Sequence, residues 1–201
     1  MIQVVKNLYG WKAQNSKHSV CFVGIDASLS GTGLIALKEN GQVFFKNEVG
    51  YSLPKGSSPW DRIDRVTKIC NSIETLVDNF DGKIVLAHEG YALGSKGAQS
   101  FYIGELGGQV WRIYKKLLQS KKIAVIEIAP KSLKKFATGN GNSSKTKVAA
   151  HVASRWNEIF DNDNLTDAYA LAQVGRAVSG ILNMPKVHLA ALEKVTCYVE
   201  I

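Results

Sequence analysis

The sequence predicts an α/β fold with a mixed five-stranded sheet, three antiparallel strands followed by two parallel ones, and helices on both faces. Two observations predict it. After three strand-like apolar runs, further short apolar runs of strand length alternate with segments of helical apolar spacing. The Asn40-Gly41 dipeptide also separates two strand-like runs, as in a tight hairpin. This order of elements is typical of a sheet covered by helices.

The first three strands are predicted to form an antiparallel meander. The apolar run 20–25 ends at Asp26, and the runs 34–37 and 42–49 follow it. Gly31-Thr32-Gly33 is a turn signal between the first two runs. Residues 1–18, rich in Lys, Asn and Gln, are expected to be an irregular lead-in.

Helices and strands alternate after the meander. The helical segments show apolar residues at i, i+3 and i+4, and turn residues or prolines bound the strands. The predicted helices are 60–80, 98–118, 131–137, 144–160 and 164–181, and the two predicted strands are 83–87 and 123–129. After Pro185 the sequence shows few patterns that predict a helix or a strand. We expect a single domain over residues 1–201, with its core at about 20–182.

Charge and cysteine content narrow the functional classes. The chain of 201 residues carries a net charge of +8, with an isoelectric point near 9.3, which favours polyanionic partners. Its 3 cysteines are too few and too scattered for a disulfide framework or a zinc site. No signal core or membrane-spanning run is visible. We therefore expect a cytoplasmic protein that binds no membrane.

Four acidic residues lie at the ends of predicted elements. Asp26 and Glu89 end apolar strands, and Asp163 and Asp167 flank the start of the last long helix. A charge that ends a buried strand is costly unless it is paired or metal-bound. Clustered acids stay ionised only with cations nearby, and oxygen-rich sites suit Mg²⁺ or Mn²⁺. Two such ions about 4 Å apart would activate a water and stabilise the leaving oxygen of a phosphodiester.

Each of these residues also has a purely structural interpretation. Asp26 could form a turn, Glu89 could be a solvated charge, and Asp163 or Asn164 could cap the helix that carries Asp167. Taken together on a basic protein, the acids favour a site.

Four segments resemble the motifs of the RuvC family of Holliday junction resolvases, in the ribonuclease H-like superfamily. Residues 24–33, Gly-Ile-Asp-Ala-Ser-Leu-Ser-Gly-Thr-Gly, resemble the strand that ends in the family's first catalytic aspartate. His88-Glu89-Gly90-Tyr91 is similar to the second motif. Residues 126–147 resemble the basic stretch and its Gly-containing loop, and 164–172 resemble the closing motif. The resemblance covers about residues 20–177, and the segments 89–92 and 105–108 look most like bacteriophage members.

The resemblance implies an Mg²⁺-dependent endonuclease that resolves four-way (Holliday) or branched DNA by paired phosphodiester hydrolysis with two divalent ions, which Mn²⁺ can replace. It implies Asp26, Glu89 and Asp167 as metal ligands. The family places a further ligand three residues before the final aspartate, where Asn164 stands. Asp163, one residue earlier, is preferred as the fourth ligand for its charge, with Asn164 as the alternative. A phage-encoded member would act in the host cytoplasm.

Lysines and one loop are the expected DNA contacts. By resemblance, Lys145 is expected to act at the cut, and lysine ammonium groups would neutralise phosphates. Tyr91 could stack on an unpaired base, and Lys96 lies on the same loop. Each also fits a solvated face, or for Tyr91 a core position. The remaining DNA-binding candidates are Lys131, Lys134, Lys135 and Lys147.

A homodimer through the helix 98–118 is expected, because a four-way junction has near two-fold symmetry and resolution needs two matched cuts. Trp111, Tyr114 and Leu117 mark an apolar face on this helix. Three glycines within five residues would let a partner backbone come close; they are Gly104, Gly107 and Gly108.

Three other functions compete with this one. The Asp26 and Gly-Thr-Gly pattern also occurs in the phosphate loop of actin-like ATPases, but those proteins are two-lobed and much longer. Two alternatives remain open. The chain could be another nuclease of the ribonuclease H-like fold, or a module that binds branched DNA without cutting it.

Overall fold

The computed structural model describes residues 2–6, 8, 19–90, 98–120 and 123–200. The strands are β1 (Ile2–Val5), β2 (Val20–Asp26), β3 (Thr32–Leu37), β4 (Val43–Val49), β5 (Lys83–Glu89), β6 (Ile123–Ile128) and β7 (Thr196–Glu200). The helices are α1 (Pro59–Asp78), α2 (Ala98–Gln119), α3 (Pro130–Thr138), α4 (Lys145–Trp156), α5 (Asp163–Val178) and α6 (Lys186–Leu189), with a 3₁₀ turn at Leu192–Lys194.

Within the described residues the sheet has seven strands, in the order β1-β7-β6-β5-β2-β3-β4. The predicted α/β class is confirmed, and its five strands form the continuous block from β6 to β4. The predicted strand number is wrong, because β7 and β1 extend the sheet antiparallel beyond β6. The segment expected to be an irregular lead-in thus contributes β1. These two strands are short and only partly apolar, so their sequences carry little strand signal.

The parallel strands β2, β5 and β6 end at one edge of the sheet. Ile25 of β2 pairs with His88 of β5, and Glu89 pairs with Ile128 of β6. Because parallel strands share a direction, their carboxyl ends lie side by side. Asp26 and Glu89, the last residues of β2 and β5, therefore reach the same edge.

Helices cover both faces of the sheet. On one face α1 and α2 pack against the apolar side chains of the strands. On the other face α5 is buried along almost its whole length, with α3 and α4 beside it. Glycine makes this approach possible: a Cβ on Gly24 of β2 would collide with the carbonyl of Ala168, and one on Gly33 of β3 with the carbonyl of Asn164.

Polar side chains form a hydrogen-bonded row along α5. Gln173 Nε2 donates to the Tyr169 hydroxyl at 2.7 Å, and Arg176 Nη1 donates to Gln173 Oε1 at 2.7 Å. Arg176 also donates to the carbonyl of Glu39, in the turn between β3 and β4. The row therefore ties the C-terminal end of α5 to this turn.

Two local predictions need correction. The hairpin around Asn40-Gly41 is wider than a two-residue turn, because β3 ends at Leu37 and β4 begins at Val43, with Gly41 at φ +92°. The last long helix begins at Asp163, and Asn162 is its N-cap, with its side chain accepting from the Leu165 amide. Neither Asp163 nor Asn164 caps it. Among the described residues, no helix has both the length and the apolarity needed to cross a membrane.

Candidate active site

Asp26 and Glu89 lie on the face of the sheet that α5 covers. Successive side chains of a strand point to opposite faces. Ile25 packs in the apolar layer under α1 and α2, and the His88 ring makes edge contacts with Trp111 and Tyr114 of α2. The residue after each therefore faces α5. Burial lowers the pKa of His88 to about 4, so this motif residue is a neutral core side chain on the opposite face.

The other two acids come from the first turns of α5. Asp163 is the first residue of the helix and Asp167 follows four positions later. Residues four apart on a helix are neighbours on one face. The close packing of α5 on β2 and β3 brings this face to the edge where Asp26 and Glu89 end.

Burial and neighbouring charges raise the pKa values of three of the carboxyl groups. Burial and the charges of Asp167 and Glu89 raise the pKa of Asp26 to about 8. Burial and the charge of Asp167 raise the pKa of Glu89 to about 7. Burial is also the main cause that raises the pKa of Asp167, to about 6. Asp167 raises the pKa of both Asp26 and Glu89, and Glu89 raises that of Asp26, so the three half-buried acids form one electrostatic cluster.

Lysines partly offset this negative charge. Lys145, at the start of α4, donates to Asp163 Oδ2. This bond lowers the pKa of Asp163 and raises that of Lys145. Lys145 and Lys134 of α3 also lower the pKa of Glu89 and of Asp167. Two of the predicted basic residues therefore lie beside the acids.

Hydroxyl groups fix the loop that follows Asp26. Thr32 Oγ1 donates to the carbonyl of Ser28 at 2.7 Å and accepts from its amide at 3.1 Å. Ser28 Oγ in turn accepts from the amide of Gly31 at 3.2 Å. These bonds close the loop between β2 and β3, and they begin two residues after Asp26. The loop therefore helps to fix the end of the strand that carries Asp26.

The donor set fits a divalent cation. Carboxylate oxygens are the ligands that Mg²⁺ and Mn²⁺ prefer, and a cation would remove the mutual repulsion that raises these pKa values. Among the described residues, no three His, Cys, Asp or Glu side chains are grouped closely enough to constitute a metal site as they stand. The acids share one edge, and to chelate one ion their carboxylates would have to come closer together.

The other predicted DNA contacts fall into two groups. Lys131 and Lys135 lie on α3, which begins directly after β6 ends at this edge. Lys147 lies on α4, whose first residue, Lys145, bonds to Asp163. Lys131 and Lys147 are exposed, whereas Lys135 is half-buried. Tyr91 and Lys96 lie outside the described residues.

The predicted dimer face of α2 needs correction. Tyr114 and Leu117 are buried against the sheet, and Trp111 packs on His88 and Tyr198. This apolar face and the buried Gly107 belong to the core of the chain. The outer surface of α2 instead carries Phe101, whose side chain is 74% exposed, with Gly104 and Gly108 open to solvent.

Sequence reasoning missed one residue beside the site. Glu48 of β4 accepts hydrogen bonds from Asn162 and Asn164, at the start of α5. The contacts span more than a hundred residues of sequence, so no local pattern signals them. Asn164 itself is thereby engaged with β4, whereas Asp163 contacts Lys145.

Solved structures share this architecture. Thermus thermophilus RuvC in complex with a Holliday junction substrate matches with a TM-score of 0.60 and 18% identity, over 81% of this chain and 94% of that chain. A second Thermus thermophilus RuvC structure matches with a TM-score of 0.61 and 20% identity, over 81% of this chain and 95% of that one. The fold is therefore of the ribonuclease H-like class found in RuvC.

The sequence gives the family directly. The family model of the crossover junction endodeoxyribonuclease RuvC matches residues 22–175, which include all four acids. The chain belongs to this RuvC family. A search of the curated proteins finds no match.

Proposed function

We propose that the protein is a structure-selective DNA endonuclease, which resolves four-way junctions and related branched DNA by paired hydrolysis dependent on Mg²⁺. One observation carries the proposal: Asp26 at the end of β2, Glu89 at the end of β5 and Asp167 of α5 share one edge of the sheet and interact electrostatically there. A protein keeps such a cluster of partly buried acids at a cost in stability, which a bound cation offsets. Membership of the RuvC family supports the junction as substrate.

In this mechanism Asp26, Glu89, Asp163 and Asp167 would hold two divalent ions. When bound, such ions supply an activated water and neutralise charge on the phosphate. The buried strand ends fix Asp26 and Glu89, and α5 presents the other two acids as one unit. Lys145, which donates to Asp163, lies where its ammonium group can also stabilise negative charge that develops on a phosphate. Mn²⁺ would fit the same oxygen ligands.

Basic residues around the acids provide the DNA surface. Lys131, Lys134, Lys135 and Lys147 project from α3 and α4, which flank the site, and their contacts with phosphates would be independent of base sequence. The excess of 8 positive charges on the chain favours association with a polyanion. Tyr91 and Lys96 remain predicted contacts for the unpaired region of a branch.

Two matched cuts call for a homodimer, and the outer surface of α2 is the proposed contact. Phe101 is an exposed large apolar side chain, and open glycines follow it at helical spacing at Gly104 and Gly108. Glycine without a neighbour lets a partner helix approach closely. On α1, which packs against α2, Trp60 and Ile63 add exposed apolar surface.

The test is cleavage of a four-way DNA junction, a linear duplex and an RNA–DNA hybrid in the presence of Mg²⁺. We expect symmetric cuts in the junction and little in the other two. Asp26→Asn, Glu89→Gln and Asp167→Asn should each abolish cleavage and leave junction binding in EDTA largely intact. Asp81→Asn is the matched control, because Asp81 is an exposed acid just before β5, at the end of that strand opposite Glu89.

The rival functions give different results. Cleavage of the hybrid in preference to the junction would assign the chain to another nuclease activity of this fold. Tight junction binding without cleavage at any Mg²⁺ or Mn²⁺ concentration would identify a binding module. Near-normal cutting by one of the three variants would remove that residue from the site.

A further inference from the structure

Glu48 joins the edge strand of the sheet to the start of the helix that carries two of the site acids. Its Oε2 accepts from Asn162 Nδ2 and its Oε1 accepts from Asn164 Nδ2, each at 2.7 Å. Both bonds are charge-assisted, which makes them stronger than bonds between neutral groups. The two carboxylate oxygens thus hold two side chains that lie on either side of Asp163.

The same two asparagines control the beginning of α5. Asn162 caps the helix, because its Oδ1 accepts from the Leu165 amide at 2.9 Å while its Nδ2 donates to Glu48. One amide group therefore fixes the helix start and connects it to β4. The bond to Asn164 adds a second attachment point, so the first turn can neither rotate about its axis nor slide without breaking one of them.

The loop between β2 and β3 leaves room for this contact. A Cβ on Gly31 would collide with Glu48 Oε1 and would lie 2.5 Å from Asn164 Nδ2. Any other residue at this position would displace the Glu48–Asn164 pair. The glycine that the sequence marks as a turn signal thus leaves the space in which the Glu48 and Asn164 side chains meet.

Glu48 acts on the site from outside the acid cluster. The charges that shift the pKa of Asp26 come from Asp167, Glu89, Lys145 and Asp163, and those that shift the pKa of Asp163 come mainly from Lys145. Glu48 is exposed, and its two oxygens are engaged by the asparagines. Its geometry suits a residue that positions ligands and not one that supplies a ligand.

We infer that Glu48 is a positioning residue: its two-oxygen contact with Asn162 and Asn164 sets the orientation of the first turn of α5, and thereby of Asp163 and Asp167 toward Asp26. The inference rests on the proposed metal-dependent function for its effect on cleavage. It also accounts for the asparagine at position 164, where the family motif has a ligand, because a carboxylate there would face Glu48.

The first experiment compares Glu48→Ala with Lys46→Ala, an exposed residue two positions earlier on the same strand. Amide hydrogen exchange of residues 165–167 is followed in the metal-free protein, and Mg²⁺ binding is followed by calorimetry. We expect Glu48→Ala to speed exchange in this turn and to weaken Mg²⁺ binding by roughly 10-fold, as for other residues that orient metal ligands. Cleavage should require a correspondingly higher Mg²⁺ concentration. Lys46→Ala should change none of these.

The second experiment exchanges the chemistry of the pair. Asn164→Asp alone sets two carboxylates against each other, and we expect it to reproduce the defects of Glu48→Ala. Adding Glu48→Gln should rescue it, because the introduced glutamine keeps a carbonyl for Asn162 and offers an amide to the introduced aspartate. A residue that only contributed to stability would show no such recovery of Mg²⁺ affinity.

Three results overturn the inference: unchanged exchange in Glu48→Ala, a lowered melting temperature with native Mg²⁺ affinity, or a double variant as defective as Asn164→Asp. If Asp26→Asn also leaves Mg²⁺ binding unchanged, the proposed metal site is contradicted instead. Hydrogen exchange in the metal-free protein then decides alone whether Glu48 holds the turn.

Discussion

The carboxyl group of Asp26 has the highest pKa of the four site acids, about 8. Its ordinary value is about 3.9, so around neutral pH the folded chain holds a proton that the unfolded chain has lost. By linkage, the stability that this group contributes falls as the pH rises from about 4 to about 8. The metal-free protein is therefore less stable in the pH range where the carboxylates are ionised and a cation would bind best.

Asp26→Asn should accordingly raise the melting temperature of the protein in EDTA, because an amide of the same shape carries no charge to bury. The gain over the native chain should grow from about pH 5 to about pH 8. Each kcal/mol gained corresponds to roughly 2–4 °C at this chain length. Calorimetric melting of both proteins across this range checks the slope, with Asp81→Asn as the exposed control. A gain that is independent of pH would contradict the raised pKa.

Lys145 has two opposing effects that substitution can separate. Its ammonium group bonds to Asp163 and thus repels a cation that approaches the same carboxylate. Lys145→Met should bind Mg²⁺ more tightly in calorimetry at about pH 9, where protons compete little. Cleavage should nevertheless fall by on the order of 10²-fold, as when other transition-state donors are removed.

Lys147→Met, two residues further along the first turn of α4, is the comparison for Lys145→Met, and its Mg²⁺ affinity should match that of the native chain. Weaker Mg²⁺ binding by Lys145→Met would show that the lysine orders Asp163 for the metal and does not compete with it.

The helix α5 and the strands β2 and β3 form one packed unit, in which backbone approaches backbone. Gly24→Ala tests this contact, because its Cβ would collide with the carbonyl of Ala168. Overpacking of this kind costs about 1–3 kcal/mol, or more where backbone must move. Urea unfolding should show that loss, and Mg²⁺-dependent cleavage should fall with it as α5 is pushed from the sheet.

Gly104→Ala on α2 is the matched control, since its Cβ would meet no atom within 4 Å. In a helix this change should stabilise a monomeric sample by about 1 kcal/mol. If both alanines had the same effect on unfolding, close packing would not be the reason for glycine at position 24.

Sequence patterns predicted five of the seven described strands and missed two short ones, β1 and β7. The apolar runs of β2 and β5 identified both strands and placed Asp26 and Glu89 at their ends. The strand β7 alternates half-buried and buried residues over only five positions, and its partner β1 has four. Such short strands are stabilised by pairing with their neighbours in the sheet, β7 with both β6 and β1, which a local pattern cannot reveal.

The same limit explains what was missed at the site. Asp163 and Asp167 could be assigned to one helix face from their spacing alone. The contact of Glu48 with Asn164 depends on a separation of 116 residues. The buried face of α2 was assigned to a partner because apolar spacing marks a packed face without saying whether the sheet or a second chain covers it.

The assembled molecule is expected to cut a two-fold symmetric junction as a homodimer. Phe101→Asp places a charge on the outer surface of α2 and should weaken the dimer, as measured by sedimentation. Paired cuts should then become single, unlinked cuts. Ile159→Asp is the control, because Ile159 is also an exposed apolar residue, at 85%, and lies outside α2. A monomeric native chain that makes paired cuts would contradict this arrangement.

The attachment of α5 to the β3–β4 region at both ends has a consequence for synthesis on the ribosome. Arg176 reaches the carbonyl of Glu39 across 137 residues, and Asn164 reaches Glu48 across 116. Contacts between such distant residues close late and slowly. The strands that α5 covers are synthesised first, and one apolar face of them stays exposed to solvent until α5 packs on it. During this time the chain can aggregate or bind chaperones. We therefore expect that a nascent chain does not cleave DNA until α5 has emerged from the ribosome, because Asp26 and Glu89 alone do not complete the site.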